Sequence, residues 1–259
     1  MKNKRGGGKS VEKISSQFYA RVLHVVTATA PELRYETICK LILQQAIQQL
    51  DPLGLGMAIT VIVCTEPPSE RNVHSLRVSI GQGTLPGMEG WDQLAIFLGV
   101  ESLAGYAATC GHRVTVQNLR EDHHLYYPVN RLKGASSAIA TPIRRLDGIA
   151  GCLSIYSTQP GYFSPCCQEL VQSYADLLTL AFEPRAFYEL ERLELGIMPA
   201  RCLQLPYFAS FQQRLIDTLK KAAYLQLSIS IQTAELRVWQ QIENELLRLA
   251  CKVSAQKSF

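Results

Sequence analysis

Hydrophobic residues recur along this chain with two periods, and the alternation between them outlines most of the elements. In residues 11–28, Ile14, Phe18, Val22, Val25 and Val26 fall at helical spacing, which predicts an amphipathic helix packed on the body or on a partner. Pro31 followed by Glu32 marks a second helix start, and Ile38, Leu41, Ile42, Ala46 and Leu50 line one face until Asp51-Pro52-Leu53-Gly54 stops it. Residues 57–64 are almost continuously apolar, which predicts a central strand buried on both sides, ended by Pro67 and Pro68. Leu76, Val78 and Ile80 alternate with Arg77 and Ser79, as a strand with one wet face requires. Gly81-Gln82-Gly83 breaks that strand. Residues 91–110 then read as helical, with Gly111 as the C-cap.

The next stretch carries the most order. A strand over residues 114–119 leads into a polar excursion over residues 120–134. Two further strands, residues 137–143 and 149–156, are joined through Leu146-Asp147-Gly148, whose Asp-Gly pair suits a tight hairpin. Ser164 and Pro165 then announce a helix as N-cap and first helical residue. Helix, two strands, helix, three strands and helix give an α+β fold, a mostly antiparallel sheet flanked by helices.

Beyond Glu183-Pro184 the pattern loosens. Residues 185–195 continue as a short helix, prolines at 199 and 206 interrupt the chain, and a long helical stretch is predicted over residues 207–252. Ala222, Leu225, Ile229, Leu236, Trp239, Leu246 and Ala250 fit a heptad-like seam, although Gln232 and Glu243 fall on it too. Two readings stay open: a coiled coil that pairs subunits, or helices folded back on the body. Residues 227–231 alternate as a strand would, so a break there is a further alternative.

The order of motifs after Gly105 resembles the second half of a GAF domain. The matching residues are Pro142-Ile143, Ile149-Ala150-Gly151-Cys152-Leu153 and Phe163-Ser164, followed by Leu170, Val171, Ala175, Leu177, Leu178 and Ala181. The resemblance covers residues 31–187 and divides the chain into a basic tail with an amphipathic helix (1–30), a GAF-like domain (31–187) and a helical C-terminal extension (188–259). It implies a small-molecule sensing or dimerising module, usually of bacterial signalling. It further implies that the excursion over residues 120–134 lies over a cavity lined by Trp91, Tyr106, His123, His124, Tyr126, Tyr127, Arg131 and Ser137. Such a long connection is usually functional or disordered.

Particular ligands of that family can be tested on residues. Cyclic-nucleotide members carry an Asp-Glu pair where this chain has Cys167-Gln168, and covalent bilin needs a Cys in a loop that here has none. His123 and His124 are adjacent, so at most one faces a pocket, and no second metal ligand is evident by spacing. No cofactor is assigned.

Composition narrows the classes without naming one. At 47% hydrophobic and 19% charged residues, the chain fits an ordinary soluble globule. Its longest apolar runs are strand-length, and residues 1–9 lack the apolar core of a secretory signal, so a cytoplasmic protein with no membrane partner is expected. Much of the net charge of +4 comes from Lys2, Lys4, Arg5 and Lys9, a solvated tail that argues little for nucleic acid. Gly8-Lys9-Ser10 lacks the preceding strand and first glycine of a phosphate loop. Of eight cysteines, Cys39, Cys64 and Cys152 sit among aliphatic neighbours as buried hydrophobes. No Cys-x-x-Cys occurs, and Cys166-Cys167 should bury one side. The combined expectation is a non-catalytic GAF-like sensory or regulatory protein, a homodimer through its terminal helices, with a small-molecule ligand and a signalling protein as its partners. The alternatives are a thiol-based reductase of the GAF-type methionine sulfoxide class using Cys110, Cys152 or Cys166, and a ligand-free interaction scaffold.

Overall fold

A computed structural model of the chain describes residues 13–68, 72–85, 96–121, 132 and 134–256. Helix α1 (Ser16–Ala28) is capped by Ser15, whose hydroxyl accepts the Phe18 amide at 3.2 Å. Its Phe18 and Val22 are buried against α2 (Pro31–Leu50), which starts at Pro31 as the sequence predicts. Asp51 ends α2 by accepting the amides of Leu55 at 2.7 Å and Gly56 at 3.1 Å, and so aims the chain into the sheet.

The sheet has seven strands. Its order is β3 (Phe97–Leu98), β2 (Leu76–Gly83), β1 (Met57–Cys64), β6 (Gly148–Ser157), β5 (Ser137–Arg145) and β4 (Val114–Val116), with β7 (Tyr188–Glu189) pairing the start of β6. All these pairings are antiparallel. Strand β1 is central and buried on both faces, which accounts for its unbroken apolar run.

Two cores flank the sheet. On one face Met57, Ile59, Val61, Ile139, Ile143, Leu153 and Ile155 meet α1, α2 and α4 (Pro165–Leu178). On the other, Ile62, Ala138, Ala140 and Cys152 meet the short helix α3 (Leu103–Cys110). Helix α3 ends on Gly111 in the left-handed region at φ +71°, the C-cap expected of it.

Gly151 explains the aliphatic-x-Gly signature physically. At φ +154° it sits where the β5–β6 register jumps from Gly151 to Ile149. A Cβ there would lie 1.9 Å from the Ile62 carbonyl oxygen. Only a glycine lets β6 approach β1 at that bulge.

Several expectations are corrected. Within residues 91–110, Phe97–Leu98 form an edge strand, and only Leu103–Cys110 are helical. Residues 185–195 form two 3₁₀ turns around β7, not a helix, and the chain there stitches to β2 through the Val73 amide on the Arg192 carbonyl at 2.8 Å. The long helix divides into α5 (Arg201–Ala209), which runs through Pro206, α6 (Phe211–Tyr224) and α7 (Ile231–Gln256). Residues 225–230 are a turn and extended link, with Gln226 at φ +55° and no strand.

The stripe that α7 buries is Ala234, Val238, Ile242, Leu246 and Ala250, spaced by four, which shares Leu246 and Ala250 with the heptad-like seam read from the sequence and leaves Leu225 exposed. Packed with Phe97, Met198, Phe208, Phe211 and Trp239, it folds α5–α7 back on the β3 edge. An Arg214–Glu245 bidentate pair at 2.7 and 2.9 Å joins α6 to α7.

Candidate functional site

Strand alternation builds a polar row in the middle of the α3-facing side of the sheet. Three cross-strand rows point that way: Ile62, Cys152 and Pro142; Thr60, Ser154 and Ala140; Ala58, Tyr156 and Ala138. Leu103, Ala104, Ala107 and Ala108 of α3 pack over this face, and the Cys152 thiol donates to the Ala104 carbonyl at 3.4 Å. Leu85 and Leu132 pack on Ala58 and Tyr156 at the other end. Between them lie Thr60 and Ser154, both buried.

The Thr60 hydroxyl donates to the Ser154 carbonyl at 3.4 Å, whereas the Ser154 hydroxyl has no partner among the described residues. A buried hydroxyl without a partner is uncommon and calls for an explanation such as a bound molecule. Burial, with Cys152 beside it, pushes the Tyr156 phenol up to about 12. At neutral pH it therefore stays protonated and can donate. The neighbouring side chains on this face, Ala58, Ala138 and Ala140, are small.

The thiols of this face are poorly suited to chemistry. Burial pushes Cys64 up to about 12 and Cys152 well above its ordinary value. A thiol that stays protonated is a weak nucleophile. Cys110 is partly exposed at the end of α3, Cys166 is exposed and Cys167 is buried, as one side of that helical turn should be. Among the described residues, no group of three His, Cys, Asp or Glu side chains could hold a metal ion.

Of the predicted lining, two residues lie within the described chain, and the structure does not bring them together. Tyr106 is on the outward side of α3, 43% exposed, while its helical neighbours are buried. Ser137 is buried with the same alternation as Ile139 and Ile143, toward α2 and α4, and its hydroxyl donates to the Gln159 carbonyl at 2.7 Å. Trp91, His123, His124, Tyr126, Tyr127 and Arg131 lie outside the described residues. Thr60, Ser154 and Tyr156 were not singled out from the sequence. Their only local signal is a polar residue interrupting an apolar strand. Their meeting depends on the β1–β6 register, which no single-chain pattern displays.

Comparison with known proteins gives a consistent picture. The GAF domain family model matches residues 32–183, more than half of the chain. Among curated proteins no sequence matches. Solved structures similar to this chain include the GAF domain of an Acinetobacter phosphoenolpyruvate-protein phosphotransferase, at 14% identity over 65% of this chain and 93% of that one, with a TM-score of 0.46. A type II free methionine-R-sulfoxide reductase from Thermoplasma acidophilum is 19% identical over 58% of this chain and 94% of its own, with a TM-score of 0.42. The free methionine-R-sulfoxide reductase of Neisseria meningitidis, in complex with its substrate, is 15% identical over 69% and 97%, with a TM-score of 0.43.

Proposed function

The chain belongs to the GAF domain family, and from that premise we propose that it is a non-catalytic regulatory protein that binds a small polar molecule over the Thr60–Ser154–Tyr156 floor. The observation that carries this reading is the partnerless Ser154 hydroxyl, fully buried between two strands. A hydroxyl so placed costs roughly 1–3 kcal/mol if nothing bonds it. A ligand group that bonds it recovers that cost, and Tyr156 supplies a neutral donor two residues along the same strand.

Occupancy would act by population shift. A ligand biases the packing of the terminal helices only as far as it binds two arrangements of the chain unequally. Pairing of two copies through those helices, and a cytoplasmic setting, belong to the same proposal. Among the described residues, no helix is long and apolar enough to cross a membrane.

Native mass spectrometry of freshly purified protein tests both parts. The expected spectrum shows a dimer carrying a non-covalent small-molecule adduct, and Ser154→Ala, which removes only the hydroxyl, weakens the adduct while circular dichroism stays that of the folded chain. Bare chains in wild type and variant alike would count against the ligand site, and monomers against the pairing.

Thiol catalysis is the competing reading, and the partial exposure of Cys110 is what favours it. Alkylation at neutral pH separates the two. Uniformly slow labelling of Cys64, Cys110 and Cys152 fits a non-catalytic module, whereas one rapidly labelled thiol together with reduction of free methionine sulfoxide would establish the enzyme.

A further inference from the structure

An opening lies on the α2 side of the fold. It is a cleft of about 600 Å³ between the first turn of α2, the end of β1 and residues 180–192. That volume is in the range that small-molecule sites occupy. Its apolar walls include Val63, Leu180 and Phe182, the last in edge-to-face contact with Tyr35 at 5.2 Å between centroids.

One side-chain donor in its lining lacks an acceptor among the described residues. Arg34 Nε is buried without a partner, and the same guanidinium reaches only the Thr29 carbonyl through Nη2, at 3.5 Å. Tyr35 contributes its ring to the wall, since its hydroxyl lies beside Ser79, Cys39 and Arg77, none of which lines the cleft. The first turn of α2 adds to this, because Ala30 makes no side-chain cap and the helix begins on the cleft at Pro31. A helix of twenty residues presents positive partial charge at that end.

The other charges of the lining do not cancel this demand. Glu183 is spent on Arg185 at 2.7 Å. Arg192 lies over the Tyr188 ring at 5.4 Å and is otherwise engaged. Glu66 is the remaining carboxylate of the lining, so three arginines face two glutamates. The uncompensated chemistry is one positive charge with an enclosed guanidinium donor beside an aromatic and aliphatic wall.

We infer that this cleft is a binding site for a small organic carboxylate, its anion held by Arg34 at the uncapped start of α2 and its apolar body lying against Tyr35, Phe182 and Leu180. A bare inorganic anion would use only half of such a site. The inference does not use Thr60, Ser154 or Tyr156, none of which lines the cleft.

Calorimetric titration of the full chain tests it, with benzoate, neutral benzamide and inorganic phosphate as separate titrants. Benzoate should bind saturably, and benzamide at least about tenfold more weakly, since one charge-assisted hydrogen bond is worth that factor or more. Phosphate should also trail benzoate. Arg34→Gln should weaken benzoate about tenfold or more, whereas Tyr35→Phe, which removes a hydroxyl beside Ser79 and Cys39 and keeps the ring on Phe182, should change it by less than about twofold. Circular dichroism and the melting temperature report whether each variant is folded. The inference fails if benzoate shows no saturable binding, if benzamide binds as well, or if benzoate affinity is unchanged in a folded Arg34→Gln. Phosphate binding tighter than benzoate would overturn the carboxylate assignment.

Discussion

Leu146 holds a backbone angle, φ +52°, that side chains with a Cβ seldom adopt, and its side chain is 86% exposed. The hairpin at this point is legible in the sequence, but the residues of its turn are not. Arg145 pairs with Gly148, so Leu146 and Asp147 form the two-residue loop and Gly148 already belongs to β6. The first position of such a turn favours glycine, and a left-handed leucine costs about 1–2 kcal/mol. Replacement Leu146→Gly should raise the urea unfolding free energy by roughly 1 kcal/mol or less once the added freedom of the unfolded chain is offset. Gly151 predicts the opposite response. Gly151→Ala must push the Ile62 carbonyl out of the sheet, so it should cost more than about 4 kcal/mol and leave little folded protein on a denaturation curve. The sequence displays that glycine inside a strand, whereas the oxygen it must clear lies almost ninety residues earlier and only the fold shows it.

Among elements, those with a strong period were readable and those stabilised from a distance were not. Helices α1, α2 and α4 and strands β1, β2, β5 and β6 announce themselves through spacing and caps. Strand β3 does not, because what makes Phe97 a strand residue is Gln204. The Gln204 side chain accepts the Phe97 amide at 2.9 Å and donates to the Phe97 carbonyl at 2.9 Å and the Pro199 carbonyl at 2.8 Å. A side-chain amide thus takes the place of a neighbouring strand. Gln204→Ala leaves the Phe97 amide and carbonyl buried without partners, which should cost roughly 2–4 kcal/mol. Hydrogen exchange at Phe97 should rise while that of β1 stays protected. The α5–α7 division was obscured for a similar reason: α7 buries every fourth residue against α5, α6 and Phe97, and a helix hairpin shares most of its apolar positions with a coiled-coil seam. The candidate site was legible only as a region, since its polar row arises from pairing between strands.

The whole molecule carries a charge arrangement that sets its response to pH. Glu243 of α7 is buried and accepts the Ser75 hydroxyl at 2.6 Å, and Glu101 is buried and accepts the Gly99 and Met198 amides, each at 2.9 Å. Burial raises both carboxyls above the ordinary carboxylate value despite those bonds. The folded chain therefore binds more protons than the unfolded one in the window above about pH 4.5. Stability from these two groups is fully present below that value and is lost as pH rises through their folded ionisation. Glu243→Gln, which keeps an acceptor for Ser75, should flatten that decline in melting temperature between weakly acidic and neutral buffer. A decline of unchanged slope would remove Glu243 from the explanation.

Downstream of the family match, the backbone does not simply leave the sheet. Val73 runs beside Leu193 in a parallel bridge, the Gly196 amide bonds the His74 carbonyl at 2.9 Å, and the Val100 amide bonds the Gly196 carbonyl at 3.0 Å. Cutting at residue 183 would therefore strip a hem from the β2–β3 margin and bare Phe97 together with its unmet polar groups. A fragment trimmed to the family match should clump with its own kind in a concentration-dependent manner, visible by light scattering, where the intact chain stays dispersed.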